Sequence, residues 1–219
     1  MPDPVASGAP APQVSPNNPC PFLRALVAGS YVGGHIVPLP ELTATIERAT
    51  GKHGLPAAVA GAQIFMVAEM ANGIGPLSQL RSLTQGAILD ELRNGPLDKH
   101  GAGSRILDEH AVVHEDEIAR LATFGKDYPN PDGGTERGLS ASDVKTYMAA
   151  NFQRAKDEHE PSWAITHFYY PMLMLGEWPV LLDIMGKGEG SDRYLAVAEV
   201  RTLFVERRFP ERIVALLNT

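Results

Sequence analysis

From Pro19 onward, apolar residues recur at three- and four-residue intervals along most of the chain, the spacing that gathers them on one face of a helix. "PFLRALVAG" reads as a short helix ended by glycine. "LPELTATIERATG" opens on a proline, keeps the same period and stops at Gly51. "LPAAVAGAQIFMVAEMANG" is apolar nearly all round, as a central buried helix must be. After the loop "RNGPLDKHGAGSR", the stretch "ILDEHAVVHEDEIARLATFG" becomes amphipathic in its second half, and "GKDYPNPDGGTERG" reads as a turn-rich loop. "LSASDVKTYMAANFQRAKDEHE" opens with a serine positioned to cap its first turn. "WAITHFYYPMLMLGEWPVLLDIMG", the most apolar stretch, is interrupted by Pro171 and Pro179, and an amphipathic pair, "YLAVAEVRTLFVERRF" and "PERIVALLN", ends the sequence. No segment alternates as a half-buried strand does, and there is no internal repeat. The expected class is all-α: one compact multi-helix domain over 19–219, preceded by a Pro/Ala/Ser-rich extended arm over 1–18.

Composition narrows the function. With 219 residues, 44% of them hydrophobic and 21% charged, the chain has enough apolar material for one ordinary core. A net charge of −7 gives it no electrostatic reason to seek nucleic acid or an anionic membrane, so neither is expected as a partner. No stretch approaches the roughly 20 apolar residues of a membrane span. The first 19 residues lack the basic and apolar regions of a secretion signal, and the single cysteine forms no internal disulfide. A cytoplasmic location is the expectation, with secretion after signal removal as the alternative.

Three segments carry candidate chemistry. In "SPNNPCPFLRAL" the only cysteine, Cys20, stands between two prolines at the start of a helix. Backbone N–H groups and the positive end of the helix dipole favour a thiolate there, Pro21 suits the first helical position and Pro19 stiffens the approach. Such a sulfur is suited to ligate a metal, particularly heme iron, the alternative being a cysteine packed as a small hydrophobe. In "DEHAVVHEDE", His110 and His114 are four apart, so on a helix they share a face able to hold a metal, or else lie on a solvated face. The His-Glu-x-x-His order of zinc proteases is absent. In "FYYPMLMLGEWPVLL", Glu177 lies within an apolar, aromatic segment where burial favours its protonated form and poises it for proton exchange; the alternative is a glutamate capping a helix end after Gly176. "DYPNPDGGTERGLSASD" lacks EF-hand spacing, and "GAGS" lacks the context of a phosphate loop.

In this order the segments resemble the heme-thiolate peroxidases, the family of chloroperoxidase and unspecific peroxygenases. "NPCPFLRALVAGSYV" is similar to the family's Pro-Cys-Pro opening, "LDEHAVVHEDEIARL" to its Glu-His-Asp segment, and "GEWPVLLDIMG" followed by "EVRTLFVERRFPERI" to its closing helices, a span of roughly residues 17 to 212. The resemblance implies the chloroperoxidase fold and heme b, with Cys20 as the axial thiolate, Glu177 as the distal acid-base group and His110 as the histidine bonded to it. Glu109 matches the carboxylate that in the family holds a structural divalent cation, magnesium or manganese. Hydrogen peroxide and a small organic substrate are the implied partners, and a homodimer is left open. The chain departs from the pattern at Ala111, Val112 and Val113, which follow Glu109 and His110, and at Arg24, where the family typically has asparagine. Two other readings stand beside this one: a non-heme metalloprotein using His110 and His114, and a catalytically inactive helical protein that binds a small molecule.

Overall fold

The structure is a computed structural model that describes residues 13–18, 20–51, 86–91, 105–107, 112–130, 132–158 and 170–219, with the backbone alone at 91 and 170–177. The elements in chain order are α1 (Pro21–Ala28), β1 (Ile36–Val37), α2 (Leu39–Thr50), β2 (Ala87–Ile88), α3 (Glu115–Phe124), β3 (Lys126–Pro129), β4 (Thr135–Ser140), α4 (Ala141–Glu158), α5 (Tyr170–Met185), β5 (Tyr194–Ala196), α6 (Val197–Phe204) and α7 (Glu211–Leu217). β1 pairs antiparallel with β2, Ile36 opposite Ile88, and β3, β4 and β5 form an antiparallel sheet in that order.

The all-α expectation, and with it the purely helical chloroperoxidase-like architecture, is therefore wrong: the described residues build a mixed α/β structure. The strands are two to six residues long, too short for a two-residue period to stand out, and their content hides them further. β3 is Lys-Asp-Tyr-Pro, its proline tolerable because β3 is an edge strand, and β5 is buried at all three positions. The expected loop "GKDYPNPDGGTERG" is a β-hairpin. Its turn is closed by Asn130, whose N–H donates to Gly134 O at 3.0 Å while its Oδ1 accepts from Gly134 N–H at 2.7 Å, with Gly133 at φ 82°. Gly138 is needed for a different reason: a Cβ there would collide with the rings of Tyr194 and Tyr128, which stack at 3.9 Å across it.

The helices follow their sequence signals closely. α2 stops at Gly51, which adopts the left-handed conformation at φ 64°. Ser140 heads α4 in a reciprocal cap: its N–H and hydroxyl both donate to Asp143 Oδ2, at 2.8 and 2.7 Å, and the Asp143 N–H returns to Ser140 Oγ at 3.3 Å. α5 continues through Pro179, so the expected break there does not occur. The helix gives up one backbone hydrogen bond and is held instead by burial of its apolar faces. Trp178 meets Tyr147 edge-on at 6.3 Å and stacks on Phe204 at 6.1 Å, joining α5 to α4 and α6. The central helix expected over 55–73 and most of the loop expected over 93–105 lie outside the described residues. No described helix is long and apolar enough to cross a membrane.

Candidate functional site

α1 buries every residue from Pro21 to Val27, a helix apolar on nearly all sides with one exception, Arg24. That burial fixes the helix start, and Cys20 is its N-cap, in extended conformation at φ −70° and ψ 113°. The Cys20 carbonyl accepts the first helical bond, from Arg24 N–H at 3.0 Å. The Cys20 N–H donates to Asn18 Oδ1 at 3.1 Å. The cysteine is half-buried against the core, at the positive end of the helix.

Two further groups complete this corner. Arg24 is only 2% exposed, and its guanidinium folds back over the helix start to donate from Nη1 to Asn18 O at 3.1 Å. Asn18 is fully buried, and its Nδ2 has no hydrogen-bond acceptor among the described residues. The end of the N-terminal stretch is thus part of the core: Val14 packs on it, Ser15 is buried, and the Asn18 N–H donates to Ser15 O at 3.1 Å. A second buried donor without an acceptor among the described residues is Nε1 of Trp178, one residue after Glu177.

The other expected site residues fare differently. Glu109 and His110 lie outside the described residues, and Glu177 is placed by its backbone alone. That backbone puts Glu177 well inside α5, so the reading of it as a helix-end cap does not hold. Of the His110/His114 pair, His110 lies outside the described residues and His114 does not lie within a helix. Val113 pairs with Leu107 in an isolated bridge, His114 is the extended N-cap of α3, and helix begins only at Glu115. The acidic run Glu115–Glu117 suits a helix start, which explains why α3 opens after the histidine rather than including it. Among the described residues no three His, Cys, Asp or Glu side chains are gathered to hold a metal ion.

A polar cluster unannounced by the sequence lies between α3 and α4. Glu117, buried, meets Arg154 at 2.7 Å and Arg120 at 3.5 Å, and Arg120 also donates to Asn151 and lies over the rings of Phe124 and Tyr147. Burial pushes the Tyr147 phenol up to about 12, against the opposing pull of its hydrogen bond with Asn151. Its only sequence signal was an arginine–glutamate pair three apart on an amphipathic helix, which is as common on solvated surfaces. Arg24 had a clearer one, a charge in the middle of an otherwise apolar helix.

Compared with known proteins, the chain matches no protein-family model and no curated protein.

Proposed function

We propose that the protein is a heme-thiolate peroxidase or peroxygenase that uses hydrogen peroxide to oxidise or oxygenate small organic substrates. The observation that carries this reading is Cys20: a half-buried residue at the N-cap of a helix buried from Pro21 to Val27, its backbone held by Asn18. The fit of a cofactor is supported by the buried donors that have no acceptor among the described residues, Asn18 Nδ2 beside Cys20 and Trp178 Nε1 beside Glu177. Buried donors left open are costly, about 1–3 kcal/mol each, and are a common mark of a site that a ligand completes.

In this reading Cys20 would ligate the iron of heme b, from its place at the start of α1. Heme, when bound, supplies peroxide activation and the oxidising power for the substrate. Glu177 would be the group that moves the proton of peroxide, and His110 the residue that fixes its carboxyl. Glu109 would be the carboxylate for a magnesium or manganese ion.

The test is the spectrum of the heme-reconstituted full chain, reduced under carbon monoxide. A strongly red-shifted Soret band that disappears in Cys20→Ala is expected. A histidine-type band, or a thiolate band surviving in Cys20→Ala, would sink the assignment.

A further inference from the structure

Between α3 and α4 two arginines share one carboxylate. Glu117 Oε1 lies 2.7 Å from Arg154 Nη1, and Glu117 Oε2 lies 3.5 Å from Arg120 Nη1, an ion pair without a hydrogen bond. Both Nη1 groups also donate to Asn151 Oδ1, that of Arg154 at 3.5 Å. The two guanidiniums are therefore neighbours, and together they carry one positive charge more than Glu117 cancels. Guanidiniums stay charged under all ordinary conditions, so the repulsion between them is permanent.

The other acids of these two helices do not supply the missing charge. Glu115 meets Arg201 at 3.2 Å, Asp143 accepts from Ser140 at 2.7 Å, Asp157 accepts from Gln153 at 2.8 Å, and Arg105 bonds both oxygens of Glu158. Asp116 is exposed and pairs with no described residue. The contacts that hold the arginines also prepare them for a ligand. Arg120 lies 5.3 Å over the ring of Phe124 and 5.5 Å over that of Tyr147, and Tyr147 and Asn151 are fully buried beneath the pair. Each guanidinium has five N–H groups, of which Nη1 carries two. Those on Nε and Nη2 bond no described residue, and the side chains are 29% and 35% exposed. Packing has thus already removed much of the rotamer freedom that binding ordinarily costs.

We propose that Arg120 and Arg154 form a binding site for a phosphate group, free or carried on a small molecule. A tetrahedral phosphate has enough oxygens to meet two guanidinium forks, where a carboxylate has enough for one. Its negative charge answers the cation that Glu117 leaves uncompensated. The site stands on these residues alone and requires nothing of the heme reading.

The experiment is a calorimetric titration of the full chain with inorganic phosphate at constant ionic strength. One phosphate per chain is expected. Arg120→Lys and Arg154→Lys keep the charge and lose the fork, so each should weaken binding by about tenfold, the worth of one charge-assisted hydrogen bond. Glu117→Gln removes the competing carboxylate and should strengthen binding severalfold, which also keeps the test open if a lysine variant does not fold. Glycerol phosphate, titrated beside inorganic phosphate, separates the two sources: tighter binding assigns the site to a phosphorylated small molecule, and equal or weaker binding assigns it to phosphate itself. No binding by the parent protein, or an affinity unchanged in every variant that folds, would overturn the proposal.

Discussion

Two of the described regions that enclose charged side chains differ in how they do it. Where β4 and β5 meet α6 and α7, the charges of Glu136, Lys187, Glu199 and Arg212 answer one another. Lys187 bonds both oxygens of Glu136, at 2.8 and 2.9 Å, and reaches Glu199 at 3.3 Å; Glu199 in turn holds Arg212, and the Tyr194 hydroxyl donates to Glu136 at 2.8 Å. At the start of α1, a buried guanidinium is anchored on a neutral carbonyl, and a buried amide N–H has no acceptor among the described residues. A closed network is what a fold needs to hold itself together. The buried Asn18 amide without an acceptor among the described residues supports the proposal that function lies near Cys20, whereas the closed network holds the sheet.

The contrast is broken most directly by removing the centre of the closed network. Lys187→Met leaves Glu136 and Glu199, 18% and 14% exposed, without their shared cation. A loss of about 2 kcal/mol in unfolding free energy is expected, the usual cost of stranding partly buried charged hydrogen-bond partners. Urea unfolding measures it. A change near zero would mean that the network is no more structural than the corner at Cys20.

Sequence legibility divides along the same line. Helix ends were readable because each is a local event: Gly51 stops α2 by adopting φ 64°, and Ser140 caps α4 through Asp143 three residues on. The sheet was not: β3 and β4 form a local hairpin hidden in short, turn-like sequence, and β5 joins them from far along the chain. Tyr194 meets Glu136 across 58 positions, and Gly138 reads as a turn residue until two tyrosine rings are known to close over it. Of the candidate site, Cys20 was legible from Pro-Cys-Pro and its helix. The anchoring by Asn18 was not, since a buried asparagine looks like any turn asparagine in sequence. A spacing of four means a shared face only where the backbone is helical, and at His114 it is extended, which the sequence did not show.

The same network sharpens the comparison through pH. Burial raises the Glu136 carboxyl, but hydrogen bonds from Lys187 and Tyr194 outweigh it and hold the group below its ordinary 4.5. A depressed carboxylate stabilises the fold above its unfolded value, so this contribution is lost as pH falls below 4.5. Tyr194 works in the other direction: burial, together with Glu136, pushes its phenol up to about 12 from 10.0. Its contribution is whole below about 10 and disappears as pH rises toward about 12. Melting temperatures across pH should therefore decline at both ends, and Tyr194→Phe should soften the alkaline decline. An alkaline limb identical in the variant would show that the network is not what fails there.

The smallest effect belongs to an ion pair that resembles the network in geometry but not in burial. His35 Nδ1 stands 2.6 Å from Asp90 Oδ2, with side-chain exposures of 84% and 42%, beside the strands β1 and β2. The His35 hydrogen bond holds the Asp90 carboxyl below its ordinary 3.8, against burial and with help from the Ser15 hydroxyl. The stabilisation is therefore present above 3.8 and lost as pH falls. Water competes for both partners, so His35→Ala should cost at most about 1 kcal/mol near neutral pH, and the gap from the parent should narrow in acid. Ser15 ties this pair to the segment that ends at Asn18, which gives the measurement a second use. If His35→Ala costs several times more than an exposed pair can, the pair is bracing the approach to Cys20, and the boundary between holding the fold and serving the site must be redrawn to include β1 and β2.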